Sequence, residues 1–173
     1  MRIEKKIQAL FLVLILMSFL FVPSLASKNE AAQKTQLLDR LVSVKPLLPK
    51  GEVSPGQTLE LALEITIAPG YHINSERPED EFLVPTSIEL KKDSAYEIKE
   101  IIFPKPEPKK FNFSDKPLSV YEGQFKIKIK IELAEDICGD SLELEGKFHY
   151  QACDQQACLK PEAVPFKLKI PIS

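Results

Sequence analysis

Apolar residues recur at every second position over long stretches of this chain. Thr58–Ile67 (TLELALEITI) places Leu59, Leu61, Leu63, Ile65 and Ile67 on one face, with Glu60, Glu64 and Thr66 on the other. Gln124–Leu133 (QFKIKIKIEL) turns Phe125, Ile127, Ile129, Ile131 and Leu133 one way and three lysines the other. Leu142, Leu144, Phe148 and Tyr150 share one parity, as do Phe166, Leu168, Ile170 and Ile172. A period of two is the pattern of a half-buried strand. Shorter segments at 41–47, 86–91 and 96–103 read the same way, giving about seven strands.

Turn signals separate these strands: Pro-Gly at 55–56 and 69–70, and Gly139-Asp140 before a strand. No segment after the amino terminus has a convincing helical period, and no internal repeat is visible. Strands with one apolar face need a second sheet to cover that face, so the pattern predicts an all-β, immunoglobulin-like antiparallel β-sandwich. The segment 104–116 (PKPEPKKFNFSDK) interrupts the pattern. Rich in Pro and Lys, it is unfit for a central strand and is expected to be a long surface loop. Two aromatics on such a loop, Phe111 and Phe113, are expected to cover something.

The amino terminus follows another rule. Arg2, Lys5 and Lys6 precede an apolar run from Ile7 to Val22, then Pro23 and Ser24-Leu25-Ala26. This is the layout of a secretory signal peptide cleaved near Ala26, with an uncleaved membrane anchor as the alternative. The expected organisation is a signal peptide at 1–26, a polar lead-in at 27–37 and one domain at 38–173. No later apolar run is long enough to span a bilayer, so the mature form is expected to be soluble.

Composition narrows the function. The 173 residues are 44% hydrophobic and 28% charged, values of a globular chain. Fourteen prolines fit a protein of loops and edge strands. Net charge is −2, and loss of the basic signal segment makes the remainder more acidic, which argues against a nucleic-acid partner. No Ser/His/Asp set, phosphate loop or paired-carboxylate motif supports hydrolytic chemistry.

Chemistry concentrates in Tyr150–Glu162 (YQACDQQACLKPE). Cys153 and Cys158 can close a local disulfide if their Cα atoms come within about 7 Å. Such a short loop gains only roughly 2 kcal/mol of chain-entropy stabilisation, less than a longer crosslink. Exported cysteine pairs are usually structural, whereas a local, accessible disulfide also exchanges readily. Spacing alone leaves staple and redox switch both open. Asp154 would raise a neighbouring thiol pKa, and nothing basic precedes Lys160, so the sequence makes no case for an activated thiolate. A metal site built from Cys153, Cys158, His149 and His72 is a third reading, but the spacing is unlike zinc patterns. His72 alone reads as a polar residue at a strand start. Cys138 reads as a semi-buried thiol beside a turn. The outward Lys126, Lys128 and Lys130 read as a solvated face or as edge protection.

Several segments then fall in one order: Gly70-Tyr71-His72-Ile73-Asn74, Val84-Pro85-Thr86-Ser87, Val120-Tyr121-Glu122-Gly123, Tyr150-Gln151-Ala152-Cys153 and Cys158-Leu159-Lys160-Pro161. From about residue 40 to the end, the chain resembles the amino-terminal periplasmic domain of the thiol:disulfide interchange protein DsbD. The resemblance implies an immunoglobulin-like fold and a redox pair, Cys153 and Cys158, with no cofactor. It implies that Cys158 forms the mixed disulfide with partners and that Cys153 resolves it. It implies a cap loop at 104–116, with Phe113 or Phe111 shielding the disulfide, and places His72, Asn74 and Tyr150 near the pair. The family's acidic residues beside the cap aromatic have no counterpart here, where Lys110 and Asn112 flank Phe111. The implied donor is a thioredoxin-like domain or membrane electron-transfer protein, and the implied acceptors are periplasmic thiol–disulfide proteins, including those that serve cytochrome c maturation. Full-length relatives continue into a membrane domain and a thioredoxin-like domain, so here the reductant is expected to be a separate protein. The alternative reading is a binding module with a structural disulfide, meeting its partner through a sheet edge or the Phe111/Phe113 loop.

Overall fold

The structure, a computed structural model, describes residues 41–137 and 139–173. The expected signal peptide, the lead-in and Cys138 lie outside the described residues. Eleven strands follow in order: β1 (Val42–Leu47), β2 (Thr58–Ile67), β3 (His72–Asn74), β4 (Ser87–Leu90), β5 (Tyr96–Ile102), β6 (Glu107–Lys109), β7 (Leu118–Tyr121), β8 (Gln124–Leu133), β9 (Ser141–Tyr150), β10 (Ala152–Cys153) and β11 (Glu162–Pro171). Every pairing is antiparallel. The all-β architecture expected from the alternation is the one observed.

The two strongest alternations form strands with the expected bounds, β2 and β8, and these pair side by side in a β1-β2-β8-β5 sheet. Their apolar parity is buried from Leu59 to Ile67 and from Ile127 to Leu133. On the opposite face, Lys126, Lys128 and Lys130 reach Glu64, Glu60 and Glu100 at 4.0, 2.9 and 2.9 Å. Exposed pairs of this kind contribute about 0–1 kcal/mol each. Because β8 is an inner strand, these lysines do not protect an edge; they form the solvated face.

A second long pairing, β9 with β11, is flanked by β4. Its inward parity buries Leu142, Leu144, Phe148, Tyr150, Phe166, Leu168 and Ile170. The Pro-Gly turns form as expected: the Tyr71 amide donates to the Ala68 carbonyl at 3.2 Å, and Gly70 takes φ 86°, a conformation that side chains disfavour.

Besides the two large sheets there is a small third one, of order β10-β3-β7-β6, which the alternation did not reveal. Its strands are two to four residues long, each lying just before or after a turn, so none carries a readable alternation. One expectation needs correction: the segment 104–116 is not all loop. Glu107–Lys109 pairs with β7 as the outer strand of the small sheet, where the proline at its centre is tolerated.

Gly146 breaks the apolar parity of β9 for a packing reason. It lies opposite both Phe166 and Leu90. A β-carbon there would sit 2.6 Å from Phe166 Cζ, 2.7 Å from the Glu89 carbonyl oxygen and 2.9 Å from Leu90 Cδ2. Gly146→Ala is therefore expected to destabilise the protein by about 1–3 kcal/mol, as overpacking does. A lowered midpoint of urea unfolding with an unchanged slope is the measurement.

Candidate functional site

The small sheet carries the cysteine pair. In β3 and β10, Cys153 lies opposite His72 and Ala152 opposite Ile73. Directly opposed residues of an antiparallel pair leave the sheet on the same face. Ile73 and Ala152 therefore go one way, with Tyr121 of β7 opposite Ile73, and all three are buried. His72 and Cys153 go the other way, together with Asn74 and with Val120, which lies opposite Asn74.

Phe111 lies on that second face. Its ring stacks on the His72 imidazole with centroids 4.0 Å apart and planes 19° from parallel. Phe113 stacks on Phe111 in turn, at 5.3 Å and 14°. The order is therefore His72, Phe111, Phe113, from sheet to solvent. Phe111 is 2% exposed and Phe113 40%. Phe111 also packs with Leu118, Val120 and Leu83 in a small apolar cluster of its own.

Cys153 and Cys158 form a disulfide with Cα atoms 3.9 Å apart, inside the limit set from the sequence. The two cysteines are not equivalent. Cys153 is fully buried in β10, whereas Cys158 is half-buried at the loop's return. The loop is closed by backbone bonds from the Asp154 amide to the Ala157 carbonyl (3.0 Å) and from the Leu159 amide to the Ala152 carbonyl (2.8 Å). The Asp154 carboxylate accepts from the Gln156 and Ala157 amides at 2.7 and 2.9 Å, which lowers its pKa below the ordinary value. Asp154 is thus a fixed anion that shapes the loop.

Gln151 has a structural role that sequence reasoning missed. Its Oε1 accepts from Asn74 Nδ2 (3.4 Å) and the Val84 amide (3.3 Å), and its Nε2 donates to the Leu159 carbonyl (3.0 Å). One side chain thus ties β3, the segment before β4 and the residue after Cys158. Its place in the Tyr-Gln-Ala-Cys run, next to a redox candidate, was the available signal. Asn74 Nδ2 also donates to the Val84 carbonyl at 3.0 Å, and Thr86 Oγ1 donates to the Asn74 carbonyl at 2.5 Å. The Val84-Pro85-Thr86 segment is thereby fastened to β3.

Tyr150 is buried at the end of β9 and stacks with Phe148 at 5.8 Å, on the inward face of the large sheet. His149 faces outward to Glu89 at 3.1 Å, and no group of three or more potential metal ligands gathers among the described residues. Phe82 is 84% exposed, beside Leu83 of the Phe111 cluster, and Leu159 is exposed next to Cys158. Sequence reasoning missed Phe82 as well.

Two acids hold the segment after β3. Glu79 accepts from the Ser119 amide at 2.9 Å and from the Ser119 hydroxyl. The Tyr121 hydroxyl lies 2.5 Å from Glu76 Oε2 and 3.0 Å from the Pro104 carbonyl, where the 104–116 segment begins. Burial, reinforced by the Glu76 carboxylate, pushes the Tyr121 pKa well above its ordinary value of 10. A pKa raised on folding gives stability that is complete below the unfolded value and lost as pH climbs above it. Tyr121→Phe should lose about 1.5–3 kcal/mol at neutral pH, the range for a hydrogen bond to a charged group. It should also show a shallower loss of stability above pH 10 than the parent, which denaturant midpoints across the alkaline range would measure. Some loss should remain, because burial also raises the Tyr96 pKa.

No curated protein matches the sequence. The N-terminal periplasmic domain of ScsB from Proteus mirabilis has a similar solved structure, with a TM-score of 0.50 at 19% identity. The match covers 75% of this chain and 45% of that one, so this chain spans less than half the length of its structural neighbour. The family model described as thiol:disulfide interchange protein DsbD, N-terminal, matches residues 41–170, which include every strand but the last residue of β11. The chain therefore belongs to the DsbD amino-terminal-domain family of thiol:disulfide interchange proteins.

Proposed function

We propose that this protein relays electrons in the periplasm through Cys153 and Cys158. The donor is a thioredoxin-like domain or a membrane electron-transfer protein, and the acceptors are periplasmic thiol–disulfide proteins. The observation that carries the reading is the asymmetry of the pair: a disulfide between one fully buried and one half-buried cysteine, with Phe111 stacked on His72 directly across the ladder from Cys153. Family membership supports the chemistry, and the periplasmic domain of the ScsB neighbour supports the compartment. No helix among the described residues is long and apolar enough to cross a membrane.

The exchange runs through the more accessible cysteine. A donor thiolate attacks Cys158 Sγ, the intramolecular S–S bond breaks, and Cys153 leaves as a thiolate that takes up a proton. A second donor thiol then resolves the mixed disulfide, so two electrons and two protons reach the pair. Onward transfer reverses the order: Cys158 attacks the acceptor disulfide and Cys153 releases it. Phe111 covers the face on which this happens, so the 104–116 segment acts as a cap that must move when a partner docks.

Three measurements test the reading. Cys158→Ser should abolish transfer from a reduced thioredoxin-like donor, while reduced Cys153→Ser mixed with an acceptor that carries a disulfide should accumulate the mixed disulfide on Cys158. Phe111→Ala should speed reduction of the disulfide by dithiothreitol while costing about 3 kcal/mol of stability. The potential of the pair should fall near the thioredoxin value of about −270 mV. A pair that stays oxidised under the reduced donor, with a potential well below about −300 mV, would instead mark a structural disulfide in a binding module.

A further inference from the structure

His72 is buried in the middle of the site, and the exchange steps above give it no part. Its Nε2 is buried without a hydrogen-bond partner, and so is Asn74 Oδ1 two residues along the same strand face. Native proteins rarely leave such atoms unpaired, because each forfeits its hydration. Two of them on the face that carries a reactive disulfide call for a chemical reason.

The ladder restricts what the imidazole can meet. His72 lies directly opposite Cys153, so their β-carbons sit about 5 Å apart on one face. Phe111 stacks on one face of the ring. Three charged groups act on the ring from neighbouring elements: Lys109 of β6, Glu122 after β7, and Asp154 in the disulfide loop. Lys109 and Glu122 are paired with each other at 2.5 Å, and Asp154 is held by its loop amides. Burial dominates and pushes the imidazole pKa below its ordinary value, so the ring is neutral at pH 7 and can offer a lone pair at Nε2.

We propose that His72 is the base that takes the proton of Cys153 in the closing step of exchange. This rests on the relay reading given above. In that step the acceptor is joined to Cys158 through a mixed disulfide, and Cys153 carries a thiol. The Cys153 proton passes to His72 Nε2, Cys153 Sγ attacks Cys158 Sγ, the Cys153–Cys158 bond forms, and the partner leaves as a thiolate. The imidazolium returns its proton to that thiolate or to water once the cap is open. Asn74 Oδ1 is the acceptor on the same face for the N–H so created. In the reverse direction the imidazolium protonates the departing Cys153 thiolate. In the oxidised state neither sulfur carries a proton, which is why Nε2 has no partner there.

The test isolates this step inside the full chain, in a Cys138→Ser background so that a third thiol does not contribute. Reduced protein is converted at pH 5 to its thionitrobenzoate adduct, located on Cys158 by mass spectrometry. The pH is then jumped, and release of thionitrobenzoate by Cys153 is followed by absorbance. His72→Phe keeps a ring to stack on Phe111 but lacks the base, and His72→Gln keeps polarity without titrating near neutral pH. Both are expected to slow release on the order of 100-fold at pH 7. The deficit should close as pH rises and Cys153 ionises unaided. Equal rates in parent and variants would overturn the proposal, and so would a deficit of the same size at every pH, which would mean that His72 only shapes the site. If one variant misfolds, the other still decides. Failure of the relay reading looks different: the parent would ignore a thioredoxin-like donor while its adduct still showed His72-dependent closure.

Discussion

The two-residue ladder between β3 and β10 is the constraint on which the site depends. Strand geometry sorts its four side chains by parity alone, Ile73 and Ala152 to one face and His72 and Cys153 to the other. A slip of one residue would exchange the faces and put an apolar side chain where the sulfur must be. Two residues are too few to fix their own register. The fully buried Ile73, opposed by Tyr121 on the next strand, supplies one restraint. Gln151 supplies another by holding Asn74 and the Leu159 carbonyl together across the loop. The third is covalent, since the disulfide closes the loop that β10 begins.

The same arrangement explains why the two cysteines differ. Cys153 belongs to a strand whose neighbours are core residues, so burial comes with its position. Cys158 follows a four-residue turn, 154–157, that Asp154 organises through the backbone amides of Gln156 and Ala157. Turns of this kind run over the surface because their remaining polar groups need water. One local motif thereby makes a pair with an inner and an outer member.

How much of this was legible in the sequence depends on strand length. β2 and β8 could be bounded from the alternation because ten residues repeat it five times, with opposite polarity on the two faces. The small sheet could not. His72, Ile73 and Asn74 are all buried, because the sheet is covered on one face by core residues and on the other by Phe111, so polarity does not alternate along β3. The cysteine pair was visible from spacing and compartment, and the aromatic loop from its odd composition. Which aromatic lies innermost was not, since Phe111 and Phe113 share a parity and differ only through tertiary stacking. His72 read as an ordinary polar residue at a strand start, which is its place in the chain. Its unusual property, an unpartnered buried nitrogen across from a cysteine, exists only once β10 is paired to β3.

On the relay reading, a cap over the disulfide must be firm enough to exclude stray thiols yet loose enough for a partner to displace. On that reading Phe111, as the cap residue, would meet both needs. Burying one phenylalanine is worth about 1.5–3 kcal/mol, which corresponds to a closed state favoured roughly 10- to 100-fold or somewhat more. Its apolar neighbours Leu118, Val120 and Leu83 form a separate cluster outside the faces of the two large sheets. Displacing Phe111 therefore removes one side chain from one small cluster and leaves those ladders intact. A partner that brings apolar surface of its own could replace what the cluster loses, with exposed Phe82, Phe113 and Leu159 available as first contacts. A cap drawn from the main core would lack this property, because moving it would open the sandwich that holds β3 and β10 in register.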